Sequence, residues 1–405
     1  MRPLTRSHPL HPVVPTRRGF MGVAIAASWG WAGRIWACVS AASSYRDRHD
    51  RPDLVIDSQG NTRALRNRDE WNERRQRIRE AMQQVMGPLP VEGPCRQGPL
   101  NTTILQREEV EHDGIPIRRT LLTYAPDPGP AGDSKPVAVP AWLLEPLDCQ
   151  DRSKPTRRPA MLALHQTIRI GKDEPVGLGD HPNRRYGVEL AARGFVVLAP
   201  DYPGFGAHRV DPYALGYVSA TMKAIRDNLR GVDLLTALDS VDPARIGAIG
   251  HSLGGHNALF TAVFDERLAA TVTSCGFTSF PRYKNGDLSG WSHQGYMPRI
   301  RTVHHLDPAR MPFDFPEVVA AVAPRGLFVS APLHDDNFDV QGVKDCLEAA
   351  RPIFKLWDAP EALVAEFPDT GHDFPPATRQ RAYQWLEQRL AARSSIQPIK
   401  SNPAE

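Results

Sequence analysis

Cysteine is scarce in this chain: five among 405 residues, at positions 38, 95, 149, 275 and 346, with no C-x-x-C spacing. That excludes a disulfide scaffold and a cysteine-built zinc module, and leaves room for one disulfide whose pairing sequence does not give. Net charge is almost as scarce. With 49 basic against 46 acidic residues the chain carries +3, no field for nucleic acid or an anionic membrane. No internal repeat or low-complexity tract is visible. Long apolar runs are missing too: the weakly apolar stretch 22–33 is too short to span a bilayer and is closed by Arg34. That stretch follows Arg17-Arg18-Gly19-Phe20-Met21, a twin-arginine pattern. Residues 1–41 are therefore expected to be an export signal, cut after Ala41, for the route that carries folded proteins. The destination would be periplasmic or secreted. A lipid anchor on Cys38 is the less favoured reading, since Trp36 is bulky for a lipobox; a disordered basic N-terminus is the bland one.

What is present is Gly250-His251-Ser252-Leu253-Gly254, set between an apolar run at 244–249 and a helix-like stretch at 255–264. A G-x-S-x-G between strand and helix is a nucleophile elbow. The turn is so sharp that the serine backbone is strained and a β-carbon two residues away on either side would clash.

Enzymes built on such an elbow take their partners in the order serine, acid, histidine, each after a strand. After Ser252 comes a strand-like run at 324–331 that ends in His334-Asp335-Asp336. A second run at 362–367 ends in Gly371-His372-Asp373. Ser252 would attack, His372 would take and return its proton, and the acid would hold the imidazole tautomer. Asp335, the first aspartate off the strand end, is the expected acid, with Asp336 the alternative. Leu253, the residue after the nucleophile, would offer its backbone N–H to the oxyanion.

These residues resemble the α/β-hydrolase fold and, within it, the dienelactone-hydrolase-like and acetyl-xylan-esterase-like branch. The likeness extends to Leu164-His165-Gln166-Thr167 with Gly171-Lys172, to the block 194–206 through Pro200-Asp201-Tyr202-Pro203-Gly204, to Trp291 through Pro298, and to Ala323-Pro324-Arg325. It covers roughly residues 65–390. The resemblance implies a second oxyanion donor in the loop after an earlier strand. There Gln166 stands where glycine is often found, so its backbone N–H is the expected donor, with His165 beside it. Dienelactone hydrolases proper carry a cysteine nucleophile; the serine here favours an ordinary carboxylic ester.

Short apolar strands at 120–124, 137–144, 161–164, 195–199, 246–249, 269–272, 327–329 and 363–365 alternate with helical stretches at 186–193, 222–238 and 342–350. That alternation predicts a mostly parallel sheet of about eight strands with helices on both faces, and an antiparallel edge at its start. Trp71, Ile78, Met82 and Val85 share one helical face before Gly87-Pro88, which reads as a docking helix. The expected organisation is an N-terminal extension at 42–110, a catalytic domain at 111–394 and a flexible tail at 395–405. The connection 276–316 is unusually long and reads as a cap that shapes the substrate pocket. Trp291 and Tyr296 from it, with His165 and His251, are the candidate pocket residues. Arg169 and Lys172 would add positive charge near a carboxylate or sugar, or else be solvated.

His304 and His305 are adjacent and diverge on any regular element, and His334-Asp335-Asp336 lacks a zinc helix's spacing. No metal or cofactor is expected. The leading reading is an exported serine hydrolase cleaving carboxylic esters through an acyl-enzyme, acting on a small-molecule or carbohydrate ester. An acylaminoacyl hydrolase or exopeptidase is the alternative; that group usually carries a propeller, which the residues before the sheet are too few to build. A catalytically silent hydrolase fold used for binding is the third.

Overall fold

The computed structural model describes residues 49–56, 61–90, 98–147 and 157–391. The twin-arginine segment, Cys38, Cys95, Cys149 and the tail 395–405 lie outside them.

Nine strands form one sheet: β1 (Thr103–His112), β2 (Ile115–Asp127), β3 (Val137–Pro146), β4 (Arg158–Leu164), β5 (Val196–Pro200), β6 (Val241–His251), β7 (Leu268–Ser274), β8 (Gly326–Ser330) and β9 (Leu363–Glu366). They lie in the order β9-β8-β7-β6-β4-β5-β3-β2-β1. From β5 through β9 neighbours run parallel, while β1, β2 and β3 form the antiparallel edge. Residues alternate between the two faces of the sheet. Leu162, Leu164, Ile246 and Ala248 therefore meet one core, and Met161, Ala163 and Ile249 the other. The first core is closed by α1 (Arg68–Met86), α3 (Ala220–Ala237), α4 (Leu253–Phe264), α5 (Phe315–Ala321) and α6 (Val340–Leu356); α2 (Tyr186–Ala192) and α7 (Pro376–Arg389) cover the second.

One boundary differs from the sequence expectation. The sheet begins at Thr103, inside the segment 42–110 assigned to an extension. Strand β1 is the edge of the sheet and mostly exposed, so it has no buried face to impose apolar alternation, and its charged residues blunt the open edge. Helix α1 is an integral layer. Asn67 Oδ1 accepts the Glu70 N–H at 3.0 Å, and Gly87, at φ +91°, stops the helix. Trp71, Ile78, Met82, Val85 and Met86 are buried, each large side chain contributing roughly 1.5–3 kcal/mol. The long connection between β7 and β8 is packed as well: Phe280, Trp291, Met297, Ile300 and Phe313 are all buried in the first core.

Candidate active site

Register explains why three distant residues meet. His251 at the end of β6 lies beside Ser274, Ser274 beside Ser330, and Ser330 beside Glu366. Four parallel strands therefore stop in one row, and the loops that leave them share one edge. The pairing continues past the sheet: the Ser252 N–H donates to the Ser274 carbonyl at 2.8 Å, Ala331 to Glu366 at 2.9 Å, Leu333 to Pro368 at 2.9 Å and His334 to Thr370 at 3.1 Å.

Ser252 occupies the turn between β6 and α4 at φ 55°, ψ −117°, a conformation that costs a non-glycine residue about 1–3 kcal/mol. A β-carbon at Gly250 would stand 2.1 Å from the Gly254 carbonyl oxygen, and one at Gly254 1.9 Å from that of Leu164. Both glycines are steric requirements of the elbow. Ser252 Oγ is 2.9 Å from His372 Nε2. On the other side of the ring, His372 Nδ1 is 2.9 and 3.0 Å from the two Asp335 oxygens. A carboxylate has no proton to give, so Nδ1–H donates to Asp335 and Nε2 is left to accept from Ser252 O–H.

Asp335 points inward, its side chain 1% exposed, and its Oδ1 accepts the Asn337 and Phe338 N–H groups at 2.8 and 3.0 Å. Burial pushes this carboxyl up, but the hydrogen bond and charge of His372 and the two amides outweigh it and hold it below the ordinary carboxylate range. Asp336 faces solvent, with Lys284 Nζ donating to its backbone carbonyl. Cys275, which sequence reasoning did not single out, follows β7 at φ 48°. Its sulfur, Asp335 and His372 offer ligand atoms within 4.8 Å of one another. Burial, with the charge of Asp335, pushes the thiol well up, so it stays protonated and is a poor metal ligand as it stands.

On the opposite side of Ser252 lies the loop after β4. Among the described residues neither the Gln166 nor the Leu253 backbone N–H donates to a protein acceptor. His165 is 2% exposed. Its Nε2 accepts the Tyr202 N–H at 2.9 Å and its Nδ1 donates to the Gln166 carbonyl at 2.6 Å. Both nitrogens are spent on backbone, so His165 buttresses the loop and has no ring nitrogen left for a substrate. Gln166 Nε2 donates to Glu174 at 2.8 Å. Lys172 departs from both expectations: it is 4% exposed, and its Nζ pairs with Asp201 at 3.1 Å. Arg169 is exposed.

The other pocket candidates divide. Trp291 is 2% exposed and packs against Phe280, Tyr283, Phe315 and Phe338, so it belongs to the core. His251 is fully buried behind His372, with ring centroids 4.9 Å apart. Burial, then the charges of Arg184 and His372, keeps it neutral. Tyr296 is half-buried, and its hydroxyl lies 2.6 Å from Thr167 Oγ1 in the loop after β4. The long connection thus places one of its expected residues beside the site. A cleft of about 750 Å³ lined by Arg245, Arg267, Arg325 and Arg389 lies at the opposite, amino ends of the strands.

Sheet order, two-sided helical cover and a serine elbow at the carboxyl edge define an α/β hydrolase. Residues 185–392, just over half of the sequence, match the model of the prolyl oligopeptidase family, and the chain belongs to that family. YtaP of Bacillus subtilis (strain 168) is 26% identical over 327 residues, which are 77% of this chain and 98% of YtaP. Among solved structures, a glucuronoyl esterase from Teredinibacter turnerae T7901 superposes with a TM-score of 0.65 at 15% identity, over 86% of this chain and 90% of that one. A glucuronoyl esterase from Solibacter usitatus gives 0.63 at 16% identity, over 84% and 97%. At such identities the likeness is one of fold.

Proposed function

We propose that this protein is a serine hydrolase that cleaves carboxylic esters through an acyl-enzyme on Ser252. The observation that carries the reading is the unbroken hydrogen-bonded line from Ser252 through His372 to the buried Asp335. Ser252 Oγ attacks the ester carbonyl carbon as its proton passes to His372 Nε2. The carbonyl oxygen, now anionic, is met by the Leu253 and Gln166 amides, which have no protein acceptor to give up. The imidazolium, stabilised by Asp335, returns the proton to the leaving alkoxide as the C–O bond breaks. Water then repeats the sequence on the acyl-enzyme.

Esters are favoured over amides because the similar solved structures include glucuronoyl esterases, which also favours carbohydrate esters as substrates. The family match supports a second reading, acylaminoacyl or exopeptidase action, because the family is named for oligopeptidases. The two separate by comparing kcat/KM for p-nitrophenyl acetate and a methyl uronate with that for an acyl-alanine p-nitroanilide. The ester reading predicts that both esters exceed the anilide by orders of magnitude, and the reverse order establishes the second reading. Export by the twin-arginine route to the periplasm belongs to the same proposal, on the strength of Arg17-Arg18. Replacing both by lysine is expected to hold the enzyme in the cytoplasmic fraction, and unchanged export would contradict it.

A further inference from the structure

We infer that Arg184 is a positioning residue that ties the oxyanion loop to the histidine loop; this rests on the reading of Ser252 and His372 above. Arg184 ends the short turn Pro182–Arg184 ahead of α2 and is 4% exposed. Its guanidinium reaches both sides of the site. Nη1 donates to Asp373 Oδ1 at 2.5 Å and Nη2 to the backbone carbonyl of His372 at 3.2 Å. Nε points to Gln166 Oε1 at 3.4 Å. The ties continue outward on each side. Gln166 Nε2 is held by Glu174 at 2.8 Å. The second Asp373 oxygen accepts from Asn183 Nδ2 at 2.6 Å, and Asn183 Oδ1 accepts from Arg379 at 2.7 Å.

Each contact bears on geometry that the reaction needs. The His372 carbonyl fixes the backbone from which the imidazole projects, and so the direction of Nε2. The Gln166 side chain anchors the residue whose N–H meets the oxyanion. A planar guanidinium with preorganised donors holds both at once, and in a buried setting those charge-assisted bonds are strong. Burial pushes the Asp373 carboxyl up, but the Arg184 bond and the Phe374 amide bring it below its ordinary range, so the pair is ionic. A lysine ammonium is a point charge on a flexible stem and does not reproduce the three-way fork.

The test uses the full chain with p-nitrophenyl acetate, counting folded sites by fluorophosphonate labelling carried to its end point, so that a Ser252 that reacts a hundredfold more slowly is still counted, with circular dichroism as the check on folding. Arg184→Ala is expected to lower kcat per labelled site about a hundredfold, the cost of roughly 1 Å of misplacement, with KM nearly unchanged. Millimolar guanidinium chloride is expected to restore part of that loss, whereas Arg184→Lys remains impaired. A purely structural role predicts fewer labelled sites, parental kcat per site and no rescue; that result overturns the inference. If Arg184→Ala does not fold, Asp373→Asn decides: it keeps the volume and removes the ionic partner. Its kcat is expected to fall with KM unchanged, and parental kcat overturns the inference. Ser252→Ala is run beside them. If it is inactive while the Arg184 variant is normal, only this inference fails; if it too turns over normally, the reading of the active site fails.

Discussion

The two sides of Ser252 are held by different kinds of bond. On the acid–histidine side, backbone amides and carbonyls continue the sheet's ladder beyond its strands, from Ala331–Glu366 through Leu333–Pro368 to His334–Thr370. On the oxyanion side, buried side chains do the holding. His165 bridges Gln166 and Tyr202, Lys172 pairs with Asp201, Gln166 is tied to Glu174, and Trp142 Nε1 donates to Asp173 at 2.7 Å. Asp201 also accepts the Lys172 and Ala207 N–H groups at 2.7 and 2.8 Å. A substitution cannot delete a backbone ladder, but it can delete a side chain. Apart from the Arg184–Asp373 tie, the acid–histidine side should therefore be sensitive mainly at residues that do chemistry, and the oxyanion side also at residues that never touch substrate.

The largest effect expected is on the nucleophile itself. Ser252→Ala should reduce kcat by about a millionfold with the fold intact, measured by ester turnover and circular dichroism. Next comes a paired test of the backbone-held side. Asp335→Asn should cost about ten-thousandfold in kcat by leaving the imidazole in the wrong tautomer, while Asp336→Asn, one residue away and facing solvent, should be near parental. Equal effects would break the comparison there. On the side-chain-held side, Lys172→Met leaves the Asp201 carboxylate buried without its cation. Denaturant unfolding should show a loss of about 3–5 kcal/mol, and an unchanged midpoint would show that this loop does not depend on the pair.

Acidification should weaken the fold as well. Burial lowers the pKa of His165, His208 and His251, and brings His256 down from 6.5 to about 3. Unfolding frees these rings to take protons below their ordinary value. Stability is therefore complete above pH 6.5 and falls as the pH drops towards 3, by about 2 kcal/mol for His256 alone at pH 5. Urea midpoints across that range should fall with pH, and His256→Asn should flatten the slope. The smallest effect belongs to Tyr296→Phe, which removes the hydroxyl beside Thr167 and should change KM by no more than severalfold; loss of all turnover would put Tyr296 inside the chemistry.

Much of this arrangement was legible in the residues because strand ends carry it. Apolar runs closed by Gly-His-Ser, by Leu-His-Asp and by Gly-His-Asp mark the carboxyl ends of β6, β8 and β9, and parallel register brings those ends together. Where burial does not impose a pattern, the reading failed. Strand β1 is a charged, exposed edge, and β1 and α1 belong to the fold that the boundary at 111 excluded. Trp291 was misplaced because an aromatic in a long connection has the same sequence signature whether it lines a pocket or fills a core. Arg184 sits in Asp180-His181-Pro182-Asn183-Arg184-Arg185, a polar turn by every local rule. Its one signal is the aspartate immediately after His372, a carboxylate in need of a buried cation. Lys172 and Asp201 form a pair across 29 residues, which no periodicity reports.

The most direct measurement is intact-mass and peptide mapping of the full chain after reaction with a fluorophosphonate. A Ser252 with an activated hydroxyl should take up one phosphonyl group per molecule, located on the peptide containing Ser252, and labelling should collapse in His372→Ala. A label on another residue, or no label from a folded protein that still hydrolyses esters, would contradict the account.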